Sequence, residues 1–282
     1  KFLTEIVKLP VEKLYVSIYK DDEDSYAIWN KQIGLPENKI TRLGDIENGD
    51  EENFWSMGPT GPCGPCTEIH YDTGVKCRLN NPNCGVGCDC DRFLEIWNNV
   101  FMEFNRSEDG ILTPLKMKSV DTGLGLERLA AIMQGKNSNF EIDIFSEIIS
   151  EIEKITNSVY SANKTPFHVI ADHIRCLTFA IADGALPSNE GRGYVLRRIL
   201  RRALRYGKKL DMNKPFLYKL VDKVKFLLGE VYQELNSKSE HIKKIILSEE
   251  ERFLETLDRG IDIFNKILKD LKNKNAEIFS GK

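Results

Sequence analysis

The spacing of apolar residues changes at Phe140, and that change limits the fold more than any other feature of the chain. Before it, apolar runs are short and interrupted by Gly, Pro, Asn and Asp; after it, apolar residues recur every three to four positions. Alternation by two suits a sheet, and recurrence near 3.6 suits helices. The chain therefore reads as a mixed part of short strands and helices followed by a helical part. Its 282 residues are enough for two domains. Residues 21–32 predict a short helix ending near Gly34. Residues 68–71, 93–104 and 112–118 predict strands, and residues 124–134 a helix closed by Gly135. The second of these strands interleaves Glu95, Asn98 and Glu103 with apolar residues, as a strand lining a site would. Farther on, Ile142, Phe145, Ile148, Ile149 and Ile152 sit at helical spacing. Residues 167–182, 193–206 and 216–228 continue the pattern, and 183–191 form a turn. Residues 238–272 read as one amphipathic helix whose Ile246, Phe253, Leu257, Phe264, Leu268 and Leu271 follow a heptad stripe, the pattern of a docking helix. The polar stretch 157–165 is the expected boundary, dividing residues 1–157 from 158–282.

An apolar fraction of 41% supports a sizeable core and argues against disorder. With 40 basic and 43 acidic residues the net charge is −3, which excludes a polyionic tail but not a local charged patch. No apolar run approaches the roughly 18 residues of a membrane span. Lys1 opens directly into an apolar pattern without a signal peptide, and Ile278-Phe279-Ser280-Gly281-Lys282 stops where another element is expected. The chain reads as a piece of a longer soluble protein. Seven cysteines, an odd number with no secretory signal, point to a reducing, cytoplasmic compartment.

Four segments carry chemistry. In Asp121-Thr122-Gly123-Leu124-Gly125-Leu126-Glu127-Arg128, two glycines allow close backbone approach to a ligand, and a following helix would offer its N-terminus to anions. Asp121, placed before that turn, suits an ammonium, and Arg128 a base or phosphate. The alternative is a strand–turn–helix corner with Arg128 in a surface ion pair. Residues 53–69 contain Trp55, a loop at 58–65 with three Pro and three Gly, and Cys63-x-x-Cys66. The prolines leave no helix start to activate a thiol, so these two cysteines read as buried and structural rather than as a redox or metal pair. Cys77, Cys84, Cys88 and Cys90 put four thiols in 14 residues. They fit either tetrahedral zinc or a reduced, thiol-rich loop, because the spacing lacks paired C-x2-C units. Finally, Arg192, Arg197, Arg198, Arg201, Arg202, Arg205, Lys208 and Lys209 give a local charge of +8 with no acid between them. An unmixed arginine face in an acidic chain favours phosphate binding over a merely solvated surface. His168 and His173, five residues apart on one helix, read as structural, and His70 is undecided.

At these residues the chain resembles the alanine–tRNA ligases, a family of class II aminoacyl-tRNA synthetases. The resemblance rests on the proline–cysteine loop, on Glu95-Ile96-Trp97-Asn98, on the octet from Asp121 to Arg128, and on Ile170-Ala171-Asp172-His173-Ile174-Arg175 and Asn189-Glu190-Gly191-Arg192-Gly193-Tyr194 through Arg198. Glu249-Glu250-Glu251-Arg252-Phe253 to Arg259-Gly260 is similar to the helix ahead of the family's editing domain. The resemblance spans nearly the whole chain.

It implies an α+β fold: part of a class II antiparallel sheet with flanking helices up to residue 157, then an all-helical tRNA-recognition domain. The implied reaction joins alanine to ATP as alanyl-adenylate, with Mg²⁺ on the phosphates, and transfers alanine to the 3′ end of tRNA(Ala). Asp121 would bind the alanine ammonium. Gly123 and Val100 would limit the pocket to a methyl group, Trp55 and Asn98 would line it, and Arg128 with Gly125 would meet ATP. Such a pocket separates glycine from alanine by only about 1–3 kcal/mol, and serine poses a similar problem, so an editing site is expected in the parent. Asn189 would read an acceptor-stem base pair with support from Arg201, while Arg197, Arg198 and Arg202 would lie on or near phosphates. The resemblance transfers no metal role to the four cysteines.

Class II motifs 1 and 2 are not found ahead of Asp121, so this piece alone is expected to be inactive although its parent is an enzyme. Two other readings remain: a non-catalytic RNA-binding module that keeps only the arginine helix, and a zinc-organised scaffold.

Overall fold

The computed structural model describes residues 1–90 and 92–273. Its first part builds one sheet from β1 (Leu14–Tyr19), β2 (Ile40–Leu43), β3 (Phe54–Ser56), β4 (Gly61–Asp72), β5 (Phe93–Arg106) and β6 (Leu112–Leu124). The strand order is β2-β1-β4-β5-β6, with β3 on β4. Every pairing is antiparallel except β1 with β2, so the expected antiparallel sheet is mixed at one edge.

The sheet corrects two local expectations. β4 starts at Gly61, inside the expected loop, and runs through Pro62 and Pro65. Proline gives no ladder donor, and a register shift between Cys63 and Cys66 absorbs the interruption. Gly64 is required there, because an added Cβ would lie 1.9 Å from the Phe101 carbonyl oxygen on β5. β6 extends past Lys118 to Leu124, so Asp121 and Gly123 are paired strand residues rather than the start of a turn. The turn is confined to Gly125, after which α2 (Leu126–Met133) follows the sheet. Gly135 closes that helix as expected. At φ +62° it sends its N–H to Ile132 O, while Lys136 N–H reaches Ala131 O.

The expected helix over 21–32 forms as α1 (Glu23–Ala27) and continues in wider turns to Gln32. Asp22 caps it by accepting from Ser25 N–H at 2.9 Å. One core gathers Leu3, Leu9, Leu14, Ile96 and Leu129; a second gathers Tyr19, Phe54 and Cys63.

The remaining helices are α3 (Asp143–Thr156), α4 (Lys164–Ala182), α5 (Gly191–Lys208), α6 (Val221–Leu228) and α7 (Glu234–Asn273). The chain packs as two units, Lys1–Ile142 and Asp143–Lys282. Phe145, Ile148, Ile149 and Ile152 bury one stripe of α3, which packs on α4 and α6. The first unit thus ends before α3, and the polar stretch 157–165 joins two helices within the second. In α4, Phe167, Ile170, Ala171, Ile174 and Leu177 are fully buried, making it the central helix of that unit. The helix expected over 216–228 is divided into a tight turn, Leu217–Leu220, and α6. Glu250 of α7 enforces this break by accepting the backbone N–H groups of Phe216, Leu217 and Tyr218 at 2.8–3.0 Å. Along α7, Leu235, Ile242, Ile246 and Leu254 are buried, whereas Phe264 and Leu268 on the expected heptad stripe are exposed. The Leu271 side chain and the expected continuation at 278–282 lie outside the described residues. Among the described residues no helix is long and apolar enough to cross a membrane.

Candidate functional site

The first site lies across three strands. Asn98 and Val100 are two residues apart on β5 and share a face. β6 sets Gly123 opposite Asn98 and Asp121 opposite Val100, while β4 sets Glu68 opposite Asn98 and Cys66 opposite Val100. Trp55 on β3 lines, with Asn53, Cys66, Glu68 and Asn98, a cleft of about 340 Å³.

Glu68 is the hub of this face. Its Oε1 accepts from Asn98 Nδ2 at 3.2 Å, and its Oε2 lies 3.4 Å from both Ser17 Oγ and His70 Nε2. Ser17 Oγ is also 2.9 Å from His70 Nε2. The bond to Glu68 fixes the Asn98 amide, whose Oδ1 is left buried with no partner among the described residues; Asn53 Oδ1 is in the same state. A buried acceptor without a donor is costly, and a ligand N–H would satisfy it. Asp121 is exposed beside this row, its Oδ1 accepting from Thr122 N–H at 2.8 Å. A Cβ added at Gly123 would meet nothing within 4 Å, so that position opens onto free space. Burial pushes the Cys66 thiol up to about 12, and Cys63 upward too, which removes both as nucleophiles at neutral pH.

Arg128 rises from the first turns of α2 and donates through Nη1 to Glu95 O at 2.7 Å and Glu95 Oε2 at 2.8 Å. Its aliphatic stem lies against Gly125, 3.4 Å from where a Cβ would stand. The anticipated ion pair is present, with the Arg128 side chain still 40% exposed beside the octet.

The second site lies on α5. Arg198, Arg201, Arg202 and Arg205, with His173 and Phe253, line a cleft of about 470 Å³. Arg201 stacks over Phe253 and Arg198 over Tyr194, with 5.5 and 5.9 Å to the ring centroids. Arg197 is different, because it turns inward. Its Nε and Nη2 donate to Glu249 at 2.9 and 2.7 Å, and this pair is only 14% and 12% exposed. Its Nη1 donates to Asn189 Oδ1. That bond holds the Asn189 amide with its amino group at an exposed position. The turn beneath it is tight: Ser188 N–H reaches Gly193 O at 3.0 Å, and a Cβ at Gly193 would fall 2.4 Å from Leu186 O.

Residues 1–282 match the sequence profile of the tRNA synthetases class II (A). The chain belongs to this family. It is 48% identical to alanine–tRNA ligases of Alkaliphilus oremlandii and Desulforamulus reducens, and 49% identical to that of Acetivibrio thermocellus. Each match covers 100% of this chain and 32% of the relative, so the chain spans about a third of the length of the curated relatives it matches.

In this synthetase segment two site residues lie beyond those the sequence pointed to. Glu68 was hidden in an expected strand, although Cys66, Glu68 and His70 recur at the two-residue period of a sheet face. His173 lines the arginine cleft with a buried Nε2 that has no partner among the described residues, while its Nδ1 lies 2.8 Å from Asp172. That bond holds the Asp172 carboxyl below the usual range. His168, by contrast, is bonded to the Tyr160 hydroxyl at 2.7 Å, in keeping with a structural histidine.

The four cysteines 77, 84, 88 and 90 converge in the connection between β4 and β5, their sulfur atoms all within 4.8 Å of one another.

Proposed function

We propose that this chain is part of an alanine–tRNA ligase that activates alanine with ATP and transfers it to the 3′ end of tRNA(Ala). The proteins it resembles carry that name along its whole length. The observation that carries the reading is the row of Glu68, Asn98 and Gly123 across three strands, next to Asp121. In this mechanism Asp121 and Asn98 Oδ1 receive the alanine ammonium, and Glu68 keeps the Asn98 amide oriented. Val100 and Trp55 contact the methyl group, and Gly123, which carries no side chain, leaves the room it needs. The alanine carboxylate attacks the α-phosphate of ATP and pyrophosphate leaves; the terminal ribose hydroxyl of the tRNA then attacks the carbonyl carbon and AMP leaves. Arg128, anchored on Glu95, covers the nucleotide at Gly125. Mg²⁺ arrives with the phosphates of ATP as part of that substrate. The work of the chain is positioning and charge stabilisation.

The tRNA acceptor stem occupies the second site. Arg198, Arg201, Arg202 and Arg205 neutralise phosphates, and the exposed Asn189 amino group donates to base acceptors in the wide minor groove of A-form RNA. Arg197 positions Asn189 instead of touching RNA. This reaction places the protein in the cytoplasm.

The test is amino-acid-dependent ATP–pyrophosphate exchange by the full-length protein. Alanine should stimulate exchange strongly, and glycine and serine weakly. Folded protein that binds tRNA yet shows no exchange with any amino acid would replace this reading with a non-catalytic RNA-binding module.

A further inference from the structure

The connection between β4 and β5 is long for a compact domain. Residues 73–92 contain no helix or strand among the described positions, and loops beyond about 12–15 residues without secondary structure are uncommon in compact domains. Its base is closed firmly. Thr73 N–H and Oγ1 each bond Arg92 O at 2.9 Å, and Arg92 makes a two-pronged pair with Asp72 at 2.9 Å. It has little apolar content: Val75 and Leu79 are exposed, and among its described residues only Val86 is buried beside Cys77 and Cys90. A segment of this kind cannot be held by apolar burial.

What it does contain is four free thiols in one cluster. Cys84 Sγ lies 3.5 Å from Cys90 Sγ, and Cys77 Sγ 3.9 Å from Cys88 Sγ. Four sulfurs around zinc at about 2.3 Å stand about 3.8 Å apart in a tetrahedron, close to both spacings. The backbone produces this from an unpromising sequence spacing. Gly87 takes φ +86°, and Cys90 N–H folds back on Cys88 O at 2.6 Å, a tight local path that lets both of the last two thiols join the cluster. A donor lies beside the sulfurs as well: Asn81 Nδ2 reaches Cys88 Sγ at 3.8 Å. Such N–H groups disperse the charge of metal-bound thiolates. Thiols alone are weak hydrogen-bond partners and give little reason for four of them to converge.

We propose that Cys77, Cys84, Cys88 and Cys90 bind one zinc ion that fastens the β4–β5 connection. Four protein ligands close the coordination sphere, so the site is structural and separate from the chemistry at Asn98 and Asp121. It secures the connection between the two strands that carry Glu68 and Asn98.

The experiment compares zinc, by elemental analysis, in the full-length protein and its Cys84→Ser/Cys88→Ser double variant. The wild type should hold one zinc per chain more than the variant. A second measurement needs no variant. Alkylation of the native protein, mapped by peptide mass spectrometry with and without a high-affinity zinc chelator, should show cysteines 77, 84, 88 and 90 protected until zinc is withdrawn. The exposed Cys176 should react in both conditions and serves as the control. Equal zinc in both proteins, equal alkylation with and without chelator, iron in place of zinc, or a disulfide within the cluster would each overturn the proposal.

Discussion

The two polar sites treat their charged groups in opposite ways. On the strand face, Ser17, Glu68, His70 and Asn98 are bonded to one another, and Asn98 Oδ1 and Asn53 Oδ1 of the same cleft have no partner among the described residues. On α5 one arginine is consumed internally by Glu249, and Arg198, Arg201, Arg202 and Arg205 stay exposed. The contrast follows from what each site is proposed to hold. A small zwitterion offers few contacts, so the groups that meet it must be held in place. A polyanion offers many equivalent charges, and exposed cations meet them without a desolvation penalty.

The comparison breaks most easily at Asp121. In the full-length protein, Asp121→Ala should lower kcat/KM for alanine-dependent exchange by about 100-fold, equivalent to about 3 kcal/mol of an ammonium–carboxylate contact. Its tRNA affinity, measured by filter binding, should be unchanged. A parallel loss of tRNA affinity would mean that the two sites are not energetically separate.

Arg197 sharpens the contrast within α5. Arg197→Ala leaves the enclosed Glu249 with only the exposed Arg252, 3.8 Å away, as a counter-charge and should cost about 3 kcal/mol in urea unfolding. Arg202→Ala, at an exposed position, should stay within about 0.5 kcal/mol. Equal costs would show that the inward and outward arginines do the same job.

Glu250 tests whether burial dominates where a carboxylate serves structure alone. Three backbone N–H groups favour its ionised form, yet burial outweighs them and raises its carboxyl from 4.5 to about 7. Between those values the folded protein binds more protons than the unfolded chain. The associated stability is therefore fully present below about pH 4.5 and is lost as pH rises through about 7. Glu250→Gln keeps one acceptor, should cost about 1–2 kcal/mol at pH 5, and should flatten this slope. Urea midpoints at pH 5 and pH 8 read both effects; an unchanged slope would mean that the three N–H groups keep Glu250 ionised throughout.

Local chemistry was legible in the sequence, and pairing was not. The octet at Asp121, the unmixed arginines and the strand at Phe93 could each be read because their signals lie within a few residues. β4 was read short because Pro62 and Pro65 look like loop residues until a register shift makes room for them. β6 was read short for a similar reason, since Asp121 and Gly123 have little strand preference and are held by Val100 and Asn98 on β5. The partner of Arg197 is 52 positions away on another helix, and no spacing rule links them. Glu68 became a site residue only through Asn98, 30 positions on.

The smallest effect separates contact from positioning. Each phosphate neutralised by an arginine adds about 0.7–0.9 to the slope of log affinity against log salt. Arg202→Ala should therefore lower that slope by about one while leaving the preference for tRNA(Ala) intact. Asn189→Ala should do the reverse, keeping the slope and losing discrimination, because an amide donor reads a base edge and releases no counterion. The decisive case is Arg197→Lys, which keeps the charge but loses the planar fork that joins Glu249 to Asn189. If Arg197 only positions Asn189, this variant behaves like Asn189→Ala, with an unchanged slope and weaker discrimination. An unchanged preference for tRNA(Ala) would show that the bond from Arg197 does not orient Asn189, and the division between inward and outward arginines would lose its functional meaning.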